Sequence, residues 1–163
     1  MEPIPESSPC DYAAVIRNAV VCLDLPGTAK TEVLKSLVEL LASDKKVSDG
    51  DAILDAVLAR ERKMSTGLQD GIALPHCKTM DVDDLAVAVG LAPGGIDFDS
   101  LDGEPTRILI LVVASVLQVE PHLKFLGEVS ERLSRVSVRE RLLGATCEDA
   151  VRSILLNGGE TDA

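Results

Sequence analysis

Apolar positions along this chain fall into two rhythms. Val33, Leu34, Leu37, Val38, Leu40 and Leu41 return every three or four residues while Lys30, Glu32, Lys35 and Glu39 keep to the other side, which predicts a helix capped by Thr28. Ser43-Asp44 breaks it. Ser48 or Asp49 caps the next helix, which turns Ile53, Leu54, Val57 and Leu58 inward and ends on Arg60, Glu61, Arg62 and Lys63. Pro121-His122 opens another, with Leu123, Phe125, Leu126, Val129 and Leu133 as its stripe. Ser137-Val138-Arg139-Glu140 fits a capping box for a short helix, and Thr146 to Leu156 makes the last. Asp11 to Asn18 fits a further short one.

The second rhythm is the short unbroken apolar run. Val20 to Leu23, ended by Pro26-Gly27, reads as a first strand, and Leu85 to Leu91, followed by the loop Pro93-Gly94-Gly95, as another. Arg107 to Ala114 is the most buried strand, and the apolar run from Ile108 to Leu117 is too short for a membrane-spanning helix. Neither repeats nor an interior Pro/Gly/Ser-rich linker divides the sequence, so it reads as one α/β domain with helices on both faces of a sheet. The expected boundaries are an N-terminal arm over 1–19 holding the short helix, a domain over 20–156 and a polar tail over 157–163.

Composition narrows the chemistry. Hydrophobic residues make up 46% of the 163 positions but aromatics only 2%, so the core is aliphatic and stacking on bases or sugar rings is disfavoured. A net charge of −11 repels a phosphate backbone, which excludes nonspecific nucleic-acid binding and suits basic protein faces as partners. Cys10, Cys22, Cys77 and Cys147 are scattered without a Cys-x-x-Cys pair, which argues against a zinc ribbon or a thioredoxin-like site. The opening Met1-Glu2-Pro3-Ile4-Pro5-Glu6 lacks a basic and apolar leader pattern, so the expected location is the cytoplasm, with no membrane insertion and with reduced thiols.

One stretch stands apart: Thr66-Gly67-Leu68-Gln69-Asp70-Gly71-Ile72-Ala73-Leu74-Pro75-His76-Cys77-Lys78, which holds one of the two histidines. Ile72 to Leu74 suit a brief strand and Pro75 keeps Leu74 extended, so His76 is expected to emerge where that strand stops. Gly67 and Gly71 permit positive φ and close backbone approach, which a loop needs if its N–H groups are to face an anion.

The run Ser65-Thr66-Gly67 followed by Gly71-Ile72-Ala73-Leu74-Pro75-His76 resembles the phosphorylation-site signature of the fructose/mannitol/nitrogen-type enzyme IIA proteins of the bacterial phosphotransferase system. Arg60-Glu61, the stretch from Gly95 to Pro105 and His122-Leu123-Lys124-Phe125-Leu126 are similar to further landmarks of that family, in order, over roughly Val20 to Leu156. Where the family usually has glycine after the histidine, this chain has Cys77.

The resemblance implies a three-layer α/β/α fold with a small mixed sheet. It implies that His76 accepts a phosphoryl group, that Arg60 stabilises it by bidentate contact, and that His122 lies beside His76 as a supporting residue. Thr66, Gly67 and Gly71 are then expected to form a phosphoryl-binding loop, with no metal and no cofactor needed. Walker A and kinase motifs are absent, so the phosphoryl donor is expected to be a protein. The implied donor is a histidine-containing phosphocarrier protein, and the implied recipients are an enzyme IIB or regulatory target proteins, the nitrogen-type use being slightly favoured. Two other readings stand beside this: a noncatalytic binding module on the same fold, and a metal enzyme using His76, His122 and Cys77.

Overall fold

A computed structural model describes residues 11–82, 84–117 and 119–157. In chain order the elements are α1 (Tyr12–Arg17), β1 (Val20–Cys22), α2 (Lys30–Ser43), α3 (Gly50–Lys63), β2 (Ile72–Ala73), β3 (His76–Thr79), β4 (Leu85–Ile96), β5 (Thr106–Ser115), α4 (Val119–Leu133), α5 (Val136–Leu143) and α6 (Glu148–Asn157).

The sheet has five strands in the order β1-β4-β5-β2, with β3 also on β5. Only β4 and β5 run antiparallel; β1 on β4, and β2 and β3 on β5, are parallel pairs. β5 is the strand both layers need. Ile108, Ile110 and Val112 face a core shared with α1, α4, α5 and α6, while Leu109, Leu111 and Val113 face a second core under α2 and α3. Alternate side chains of a strand point to opposite faces, so a run buried on both must be apolar throughout, as this one is from Ile108 to Ala114. The result is the expected mixed sheet with helices on both sides.

β2 and β3 are one strand interrupted. Ile72 lies opposite Ile108 and His76 opposite Val112, the same register along β5, with Leu74-Pro75 between them. Proline has no N–H to give the ladder, so pairing lapses there and resumes at the next residue. His76 therefore follows the end of β2 by three residues and opens β3.

Other boundaries moved for local reasons. Helix α2 starts at Lys30 with Ala29 at its cap and no side-chain bond, so Thr28 is not the cap, whereas Asp49 does cap α3 by accepting from the Ala52 N–H. In α5 the cap position is Arg135 and Ser137 lies inside the helix, so no capping box forms. Strand β4 continues through Pro93-Gly94-Gly95 to Ile96 with a shift in register, and Gly95 adopts φ +79 where a Cβ would strike Pro105 at 2.7 Å. Leu123 is 63% exposed while His122 is buried in its place, because the buried stripe of α4 runs through His122, Phe125, Val129 and Leu133. The short helix expected over Asp11 to Asn18 is α1, and it packs on the domain: Tyr12 stacks on Phe125, donates to the Leu155 carbonyl at 3.0 Å and lies under the Arg132 guanidinium. Cys10, the rest of 1–10 and the tail from Gly158 lie outside the described residues. Among the described residues no helix is long and apolar enough to cross a membrane.

Candidate functional site

His76 is held by its own chain. Its Nδ1 lies 2.9 Å from the Leu74 carbonyl oxygen, which can only accept, so Nδ1 carries the proton in this bond and the neutral ring keeps its lone pair on Nε2. The side chain is half-buried at the start of β3. Across from it the second turn of α4 brings His122, with ring centroids 5.5 Å apart and planes at 66°.

His122 is 3% exposed and its Nε2 has no hydrogen-bond partner among the described residues. Burial pushes its pKa down from 6.5 to about 4, and the neighbouring His76 and Lys78 add to the effect. It is therefore neutral near pH 7. Because folding disfavours its protonation, the stability this residue contributes is complete above pH 6.5 and is lost as pH falls through about 4. An NMR titration is expected to give His122 a midpoint near 4, and His122→Gln is expected to flatten the stability profile between these limits; a midpoint at the ordinary histidine value would contradict the burial argument.

Both rings line a cavity of about 460 Å³, bordered also by Arg60, Lys63, Lys78, Cys77, Val119, Leu123 and others. Arg60 sits on the last turn of α3, where its Nη1 donates to the Met64 carbonyl at 2.9 Å, using one of several donors in the guanidinium fork. Lys63, three residues on along the helix, and Lys78, two residues beyond His76 on the same side of β3, bring two more cations. Sequence reasoning missed these lysines, although their spacing from Arg60 and His76 is the signal that places them. On an acidic chain this cavity is a local basic spot suited to an anion.

Cys77 is 5% exposed, and burial pushes its thiol up to about 11, so it is a thiol and not a thiolate at neutral pH. A thiol-alkylating reagent applied to the folded protein is expected to label exposed Cys147 and spare Cys77, as read by peptide mass mapping. Modification of Cys77 as fast as Cys147 would contradict this.

Thr66, Gly67 and Gly71 do not line the His76 cavity. The Thr66 N–H and hydroxyl donate to Glu61 at 2.7 and 2.6 Å, and the Gly67 N–H donates to the Ser65 hydroxyl. Gly67 is small because a Cβ there would meet the Ser100 hydroxyl at 2.8 Å and the Phe98 carbonyl at 3.0 Å. Gly71, at φ +77, turns the chain into β2, and its carbonyl accepts from Arg107 and Ile108. These residues shape the segment leading to His76, in place of the anion-facing loop expected of them.

A mixed sheet between two helical layers, with two histidines and a cluster of cations at one cavity, makes this a small α/β domain with a site suited to an anion. Residues 14–158 match the family model described as "Phosphoenolpyruvate-dependent sugar phosphotransferase system, EIIA 2", and the chain belongs to that family. It is 34% identical over 145 residues to the PTS system fructose-specific EIIA component of Haloferax volcanii, covering 89% of this chain and 94% of the relative. It is 33% identical over 135 residues to the nitrogen regulatory protein of Pseudomonas aeruginosa, covering 83% and 88%. With the PTS system fructose-specific EIIABC component of Bacillus subtilis it shares 36% identity over 141 residues, 86% of this chain but 22% of that longer relative. Among solved structures, the nitrogen regulatory protein IIA-Ntr of Neisseria meningitidis superposes with a TM-score of 0.78 at 24% identity, covering 88% of this chain and 97% of that one. Enzyme IIA-mannitol in complex with phosphorylated enzyme IIB-mannitol, from Escherichia coli, gives 0.71 at 25% identity, covering 84% and 94%.

Proposed function

We propose that this protein is a cytoplasmic phosphoryl carrier in which His76 takes a phosphoryl group from a histidine-containing phosphocarrier protein and passes it on. The observation that carries the proposal is the His76 ring at a cation-lined cavity, its Nδ1 engaged by the Leu74 carbonyl and its other nitrogen without a hydrogen-bond partner among the described residues. In the transfer, the Nε2 lone pair attacks phosphorus, the donor's N–P bond breaks, and its electron pair returns to the donor imidazole. The proton on Nδ1 stays on the Leu74 hydrogen bond throughout. Arg60, Lys63 and Lys78 offset the charge spread over the phosphoryl oxygens, and neutral His122, as its Nε2–H tautomer, donates to one of them.

The recipient is an enzyme IIB, as in the mannitol complex, or a regulatory target, as the name of the Pseudomonas relative indicates for that protein. Identities of 34% and 33% to fructose-type and nitrogen-type relatives do not separate these uses. Incubating the protein with a phosphorylated carrier and then with an enzyme IIB, and following intact masses, tests the proposal. One phosphoryl group gained and then surrendered is the expected result. A chain that stays unmodified under conditions that load a control enzyme IIA is a noncatalytic module.

A further inference from the structure

The buried carboxylate of Glu61 takes no part in the chemistry above. Its side chain is 5% exposed, inside a helix end otherwise rich in cations, and it accepts from three donors. Oε1 receives the Thr66 N–H at 2.7 Å and the Lys30 ammonium at 2.8 Å, and Oε2 receives the Thr66 hydroxyl at 2.6 Å. Burial alone would raise its pKa, but hydrogen bonds from Lys30 and Thr66 outweigh burial and hold the carboxyl below its ordinary range. It is ionised, and each contact serves that charge.

The contacts continue toward the histidine. The Thr66 carbonyl accepts the Leu74 N–H at 3.1 Å, Gly67 bridges to Ala73, and the Leu68 N–H donates to Ile72 at 2.7 Å, so the segment 66–68 is zipped against 72–74. On the far side the Val112 N–H donates to the Pro75 carbonyl at 3.0 Å. The peptide between Leu74 and Pro75 has no N–H of its own, so its orientation depends on these bonds at either end. Its carbonyl is the group that accepts the hydrogen bond from the His76 Nδ1–H.

We infer that Glu61 is a positioning residue for phosphoryl transfer, acting through Thr66 and the Leu74 peptide to hold the His76 ring with Nδ1 protonated and Nε2 available. The inference rests on the carrier function proposed above. Glutamine at position 61 fills the same space without the charge: its NH2 can donate to a Thr66 hydroxyl turned to accept, but the ion pair with Lys30 is lost and the charge-assisted bond from the Thr66 N–H is weakened. Valine at position 66 removes only the hydroxyl bond, and serine restores it.

The test measures two things on the full chain: steady phosphoryl uptake from a phosphorylated carrier, and the 15N spectrum of the His76 ring in the unloaded protein. Glu61→Gln is expected to lower the uptake rate at saturating donor roughly ten- to a hundredfold. The donor concentration at half-maximal rate should stay within about twofold, because Glu61 touches neither donor nor phosphate. The ring signals are expected to change from one protonated Nδ1 to a mixture of tautomers. Thr66→Val should lose roughly three- to tenfold, with Thr66→Ser close to wild type. A folded Glu61→Gln or Thr66→Val protein with an unchanged ring spectrum overturns the inference, and so does a Thr66→Ser protein as impaired as Thr66→Val. Should Glu61→Gln fail to fold, the two Thr66 variants decide. If the wild type itself takes up no phosphoryl group, the carrier function fails, while the ring spectra still report on the coupling.

Discussion

Replacing His76 with alanine is expected to reduce phosphoryl uptake from a phosphorylated carrier to background while leaving the fold in place. The two effects separate because the residue serves chemistry with its ring and structure with its backbone. Its main chain lies in β3 opposite Val112, and those ladder bonds survive any side chain but proline. The half-buried ring gives up little packing, so a stability loss of only about 1 kcal/mol is expected. Neither neighbouring candidate replaces it: His122 is 3% exposed, and burial keeps Cys77 a protonated thiol. Intact mass after exposure to the phosphorylated carrier, with a thermal melt beside it, checks both halves. Continued loading of His76→Ala would place the phosphoryl acceptor elsewhere.

Phe98→Ala is expected to have the largest effect on stability, about 3 to 5 kcal/mol. Phe98 is one of two phenylalanines, 0% exposed, in the core beneath α2 and α3. The Lys30 ammonium lies 4.6 Å from the centre of its ring and reaches on to Glu61. Truncation leaves a hole in an aliphatic core and uncovers the cation that neutralises a buried carboxylate. Denaturant unfolding should show a lower midpoint with an unchanged slope. A loss below about 1 kcal/mol would mean that the core closes around the gap, contrary to the packing described.

Much of this arrangement is legible in the residues. The doubly buried run in β5 and the aliphatic stripes of α2 and α3 follow from periodicity, because a strand covered on two faces and a helix covered on one leave different apolar patterns. The meeting of His76 with His122 does not follow from local physics. The two come from β3 and α4, and only the family pattern pairs them in advance. Reading Leu123 as inward was a phase error, since stepping back from Leu133, Val129 and Phe125 reaches His122. The caps at Thr28 and Ser137 failed because neither helix starts where its polar residue invites it to.

Glu61 hid for a different reason. In sequence it sits among Arg60, Arg62 and Lys63 and reads as one more charge on a solvated helix end, yet it points inward to Lys30 and Thr66. Lys30 is distant in the chain, so its ion pair is a product of tertiary packing and leaves no local mark. Thr66 and its glycine neighbour likewise look like an anion-binding loop until the structure shows their donors already engaged.

The most direct test of the whole account is to load the 15N-histidine-labelled protein from a phosphorylated carrier and find which ring nitrogen is coupled to phosphorus. The expected result is a phosphorus–nitrogen coupling at Nε2 of His76 with a proton retained on Nδ1. Phosphorus on Nδ1 of His76, or on His122, would contradict it.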